Sequence, residues 1–152
     1  MIDKLREKIF AWIWKRQATR NVVMRQWNDV RSVVVLYHND NIPHILQQLK
    51  KDGKEVVLFT MPEKKQINWL TERPKTEERN MLVARHFDMM IDLTQQPSLT
   101  MLYMAMEIRA DFKVGRYLRD GIHDMTINTA PQETPDYLFE QVMRYIKMFG
   151  GV

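Results

Sequence analysis

The chain reads as one α/β domain: a single open, mostly parallel, Rossmann-like or flavodoxin-like sheet with helices on both faces, led by a basic amphipathic helix. Three observations predict this class. Apolar, β-branched runs at 31–37, 55–59, 88–93 and 112–116 are apolar at successive rather than alternate positions, as strands covered on both faces are. Between them lie segments whose apolar residues recur at helical spacing. The length of 152 residues suits one domain with a core of its own.

Taken in order, Ile2, Leu5, Ile9, Trp12 and Ile13 mark one face of a leading helix, which Phe10 and Trp14 widen and which ends between Lys15 and Arg20. Residues 1–20 form that helix, 21–29 a connector and 30–152 the α/β domain. Arg31 to Tyr37 is a central strand. His38-Asn39-Asp40-Asn41 is turn chemistry, and Ile42, Ile45, Leu46 and Leu49 stripe a helix that stops at Asp52-Gly53. The strand 55–59 follows. Between Thr60 and Arg85 the period weakens: Met61 to Lys65 reads as loop, Ile67 to Leu70 as a short strand and Thr76 to Arg85 as a helix around Met81 and Leu82. Phe87 to Leu93 is a strand, Ser98 to Ile108 a helix, Phe112 to Arg116 a strand and Met125 to Asn128 a short last one. The helix opened by Thr134-Pro135-Asp136 buries Leu138, Val142, Tyr145, Ile146 and Phe149. Strand 31–37 is expected beside strand 88–93, with the topological switch point between them.

The net charge of +4 is unevenly placed. Residues 1–31 carry eight basic and three acidic side chains, a net of +5, and the remainder a net of −1. A broad nucleic-acid groove is therefore not expected, and any electrostatic docking belongs to the leading segment. The absence of cysteine excludes disulfides, thiolate metal sites and a cysteine nucleophile. No signal-peptide pattern and no apolar run of about 18 residues occurs, which predicts a cytoplasmic protein, free or peripheral to the inner membrane.

Polar residues at the carboxyl ends of strands are where open sheets hold ligands. His38 and Asn39 after the first strand and Asp92, Thr94 and Gln95 at the end of another make a candidate pocket, although Asp40, Asn41 and Thr94 equally suit helix caps. Asp92 is the most ligand-like, because a carboxylate closing an apolar run must cap something or face a cleft. Arg116 and Tyr117 offer a hold for an anion, with Gly115 beside them allowing close backbone approach, and the alternative is an arginine simply exposed at a strand end. No catalytic residue emerges. Ser32 and Ser98, the only serines, lie outside any nucleophile elbow; no glycine-rich phosphate loop follows the first strand; the four histidines fall on different elements. No cofactor or metal is predicted, and the balance leans away from an enzyme. The twelve methionines at core spacing read as core filler.

Two segments, Phe87-Asp88-Met89-Met90-Ile91-Asp92-Leu93 and Ala110-Asp111-Phe112-Lys113-Val114-Gly115-Arg116-Tyr117, resemble a family of small uncharacterised α/β proteins of Bacteroidetes-type bacteria, a domain of unknown function. That family pairs a basic leading helix with the same strand-helix-strand core, and the resemblance, which covers most of the chain, implies a fold and no activity. The same segments are more distantly similar to the acceptor-side domain of heptosyltransferase-type glycosyltransferases. This chain lacks their second Rossmann domain and the glycine of their first loop, so no catalytic residue is carried over.

Two functions fit. The first is a non-enzymatic interaction module that docks through its basic helix, by Phe10, Trp12, Trp14, Lys15 and Arg16, onto a protein partner, a second copy or an anionic membrane surface. The second is a binder of a small molecule, sugar or nucleotide, or a minor enzyme, using the crevice at the ends of strands 31–37 and 88–93.

Overall fold

Strand β1, Ser32–Tyr37, carries Val33, Val34, Val35 and Leu36, all fully buried. Such a run is stable only where both faces of a strand are covered, and the computed structural model shows the layers that cover it. It describes the whole chain except residues 18, 39–42, 96–97, 117–118, 120, 129, 131–133 and 151–152. A leading helix α1 (Ile2–Lys15) precedes β1, which is followed by α2 (Pro43–Lys51), β2 (Glu55–Thr60), α3 (Glu77–Val83) and β3 (His86–Asp92). Then come α4 (Leu99–Glu107), β4 (Arg109–Arg116), β5 (Met125–Ile127) and α5 (Pro135–Gly150).

The strands form one sheet in the order β2-β1-β3-β4-β5, every pair parallel. This is the flavodoxin-like order, and its direction reverses between β1 and β3, which lie side by side with Leu36 opposite Asp92. The pleat sorts the side chains. Val33, Val35, Met89, Ile91, Phe112 and Val114 face a core shared with α2 and α5. Val34, Leu36 and Met90 face the other, shared with α1, α3 and α4, and Phe87 and Ala110 at the strand starts pack into that core too, out of step with the alternation that follows them. By the same alternation Asp92, Lys113 and Gly115 fall on the α4 side.

Helix α1 belongs physically to that second core. Phe10 is fully buried, its ring edge-on to Tyr103 at 4.9 Å and to Trp14 at 5.7 Å. A parallel crossover normally carries a helix. The connection from β4 to β5, residues 117–124, has none among its described residues. Helix α1 packs beside it instead: Trp14 lies against Gly121, Arg119 stacks on Phe10 at 4.9 Å and pairs with Glu7 at 3.0 Å. Gly121 holds a φ of +84°, and a Cβ there would stand 3.0 Å from the Trp14 ring.

Two local expectations are corrected. The segment 21–28 is more than a connector, because Trp27 opens a 3-10 turn and is buried with Val30 in the α2/α5 core, its indole N–H donating to Asp52. Ile67 to Leu70 is no strand. Only Ile67 pairs, in one bridge with Pro74, and Asn68 accepts the amides of Leu70 and Thr71 to close a turn.

Candidate functional site at the ends of β3 and β4

Asp92 closes β3 with 1% of its surface exposed, so its charge must be met inside the protein. One carboxylate oxygen accepts the amide of Thr94 at 3.0 Å, folding the chain sharply after the strand. The other lies 2.8 Å from Nε2 of His123, whose side chain is fully buried. An ionised carboxylate only accepts hydrogen bonds, so Nε2 donates to Asp92, and in the neutral tautomer which that bond selects Nδ1 is a lone-pair acceptor. Nδ1 has no partner among the described residues, nor does the buried hydroxyl of Thr94. Two unsatisfied polar atoms thus flank one buried carboxylate, and each costs free energy until something meets it.

Gly115 makes this geometry possible. It lies opposite Asp92 in the β3–β4 ladder. A Cβ there would be 2.7 Å from the Asp92 carbonyl oxygen, 2.9 Å from its Cβ and 3.1 Å from the His123 ring. The close approach expected of this glycine is therefore real, and it serves the Asp92–His123 pair.

A second polar network is built around Asp124, the next residue in the chain. Asp124 accepts both guanidinium arms of Arg20, at 2.7 and 2.8 Å, and the backbone amide of Lys113 at 2.8 Å. Lys113 is itself buried, its ammonium donating to the carbonyls of Ala105 and Met106 at the end of α4 at 2.6 and 3.1 Å. Burial, with a smaller push from Arg20, lowers its pKa to about 7. The carbonyl end of a helix favours a cation there, which explains why an amine tolerates this position.

Of the candidates picked from the sequence, Asp92 and Thr94 come together. Arg116 donates to the backbone carbonyl of Gln95, so these two clamp the segment after β3 to the end of β4. His38 is exposed just past β1. Asn39 and Tyr117 lie outside the described residues. Thr94 caps no helix: the cap of α4 is Ser98, accepting the amide of Met101 at 3.2 Å. His123 was missed because its acid neighbour in sequence, Asp124, is engaged with Arg20, while its true partner lies 31 positions upstream. The signals that point to it are a carboxylate closing an apolar strand and a glycine in the strand beside it.

The residues expected to meet a partner divide. Phe10 gives way as a contact residue, because its ring is locked in the core, and Trp14 is half-buried against Gly121. Trp12 is 56% exposed with the Arg16 guanidinium 3.6 Å above its ring, and Lys15 is exposed beside it. Among the described residues no group of three or more His, Asp or Glu side chains is placed to hold a metal, and no helix is long and apolar enough to cross a membrane.

A search of curated proteins and a search of solved structures give no match. A family model does match residues 6–149, from the first helix to the last, and by that match the chain belongs to a family of unknown function, DUF6913.

Proposed function

We propose that this domain binds a small molecule at the switch point, with the Asp92–His123 pair as its recognition centre. The observation that supports this reading is the pair of buried, unpartnered atoms, His123 Nδ1 and Thr94 Oγ1, on either side of one buried carboxylate at the carboxyl ends of the strands. Asp92 fixes the ring's orientation, Nδ1 accepts a hydrogen bond from a ligand O–H or N–H, and the Thr94 hydroxyl donates or accepts. A ligand rich in hydroxyl groups, such as a sugar or the ribose of a nucleotide, matches that demand. The distant likeness to the acceptor-side domain of heptosyltransferase-type enzymes agrees with this class. The likeness to small Bacteroidetes-type proteins bears on source and assigns no residue a role.

Binding without turnover fits better than catalysis by a nucleophile. Ser32 accepts the amide of Asp88 at the start of β3, and Ser98 caps α4, so neither serine is placed as the nucleophile of a His-Asp pair. The test is thermal stability with a panel of sugars, sugar phosphates and nucleotides, in the wild type and in Asp92→Asn and His123→Gln. A compound that raises the wild-type melting temperature and fails to raise that of either variant supports the reading. A compound that stabilises all three equally contradicts it.

One observation favours a second reading, docking through the leading helix: the exposed Trp12–Arg16 stack with Lys15 beside it. With Phe10 and Trp14 turned into the domain, that outer face is what remains for an acidic partner or an anionic membrane surface. Co-sedimentation with anionic vesicles that is lost in Trp12→Ala/Arg16→Glu supports docking on a membrane, and the absence of any co-sedimentation removes that option.

A further inference from the structure

A cavity of about 1040 Å³ lies away from Asp92, between α1, the segment that follows β2 and the first turn of α4. We propose that it binds a planar aromatic anion. Its volume is at the upper end of the range of small-ligand sites. Met61, Pro62, Ile67 and Leu99 supply an apolar lining. Trp69, also in the lining, is 72% exposed, so it offers an uncovered ring on which a flat ligand stacks.

The charges in the lining sort into used and unused. Arg6 donates to the Trp69 carbonyl at 3.0 Å and sits 3.5 Å from Asp3 and 3.6 Å from Glu72. Glu7 pairs with Arg119, and Lys65 with Glu63 at 3.4 Å. Lys64 and Lys75 are exposed and face no carboxylate at ion-pair distance among the described residues. Arg6 alone answers both Asp3 and Glu72, so with Lys64 and Lys75 counted these groups carry a surplus of one positive charge, and Leu99 and Thr100 add the positive end of α4 to the same wall.

The shape is built rather than incidental. Glu72, a non-glycine residue at φ +66°, is held in that left-handed conformation by its amide donating to the Asn68 carbonyl at 2.7 Å and its carbonyl accepting from the Thr100 hydroxyl at 2.7 Å. Arg6 ties α1 to the same turn. A strained residue fixed from both sides, in a wall joining three elements, is the kind of pre-organisation that binding sites carry.

The test titrates the full chain by calorimetry with anilinonaphthalene sulfonate and, as the cationic counterpart, naphthylmethylamine. Trp69, Lys64 and Lys75 are exposed, so their variants fold. The sulfonate is expected to bind the wild type at a single site, about tenfold more weakly in Lys64→Glu/Lys75→Glu. Binding should also weaken in Trp69→Ala and be unchanged in Trp12→Ala, which removes an exposed indole elsewhere. The amine should bind more weakly than the sulfonate to the wild type and gain in the charge-reversed variant. The inference is overturned if the sulfonate does not bind, if the amine binds the wild type as tightly, or if Trp69→Ala leaves affinity unchanged.

Discussion

Replacing Gly115 by alanine tests whether β3 and β4 approach closely because of the Asp92–His123 pair. The added methyl would lie 2.7 Å from the Asp92 carbonyl oxygen and 2.9 Å from its Cβ, both on the neighbouring strand. Backbone cannot swing aside as a flexible side chain does, so the strands must part by several tenths of an ångström. Overpacking of this kind costs about 1–3 kcal/mol. The third contact, 3.1 Å to the His123 ring, presses on the hydrogen bond to Asp92, and weakening a bond to a buried charge adds about 1–2 kcal/mol. The smaller unfolded-state entropy of alanine returns about 0.4–1 kcal/mol. The net expectation is about 3 kcal/mol, read in urea unfolding, or a fall in melting temperature of about 6–12 °C for a domain of this size. Gly53→Ala is the control: it disturbs a positive φ, +80°, which Gly115 does not have, but meets nothing within 4 Å, and should cost about 1 kcal/mol. A Gly115→Ala loss within about 0.5 kcal/mol of zero refutes the close approach.

Phe10→Ala should cost about 3–5 kcal/mol because it empties a buried site against Tyr103, whereas Trp12→Ala on the outer face should stay within about 0.5 kcal/mol; equal losses in chemical denaturation contradict the docking of α1. Lys113, lowered by burial from 10.5 to about 7, is mostly neutral between those values in the folded chain and mostly charged in the unfolded one. Stability should therefore rise with pH across that interval, by up to about 1.4 kcal/mol per unit, and Lys113→Met should remove this contribution to the slope. Asp124→Ala strips acceptors from Arg20 and the Lys113 amide together and should cost about 2–3 kcal/mol by thermal unfolding, with a neutral result refuting that network.

The sheet was legible because its residues act locally. Val33 to Leu36 announce a two-sided strand, and the parallel order follows from the alternation with helices. Asp92 and Gly115 were legible for the same reason: each is an exception inside an apolar strand and requires a neighbour. The neighbour itself was not legible. His123 arrives from a short connection after β4, 31 positions beyond its partner, while the carboxylate next to it in sequence, Asp124, serves Arg20. The fate of α1 was equally hidden, since an apolar stripe with basic flanks suits a membrane, a partner or its own domain. What decides it is the connection between β4 and β5, which has no helix among its described residues, a property of the fold that no window of the helix contains. The 61–75 cavity was missed because its lining residues come from three separated segments and its wall is shaped by one left-handed glutamate.

The central claim is that Asp92 holds His123 with Nε2 protonated, which leaves the buried Nδ1 as an acceptor without a partner among the described residues. Long-range proton–nitrogen correlation spectra of the folded protein at alkaline pH, where the ring is neutral, report which nitrogen carries the proton. The account predicts the Nε2–H form for His123 in the wild type, and loss of that preference in Asp92→Asn. A neutral His123 with its proton on Nδ1 in the wild type would contradict it.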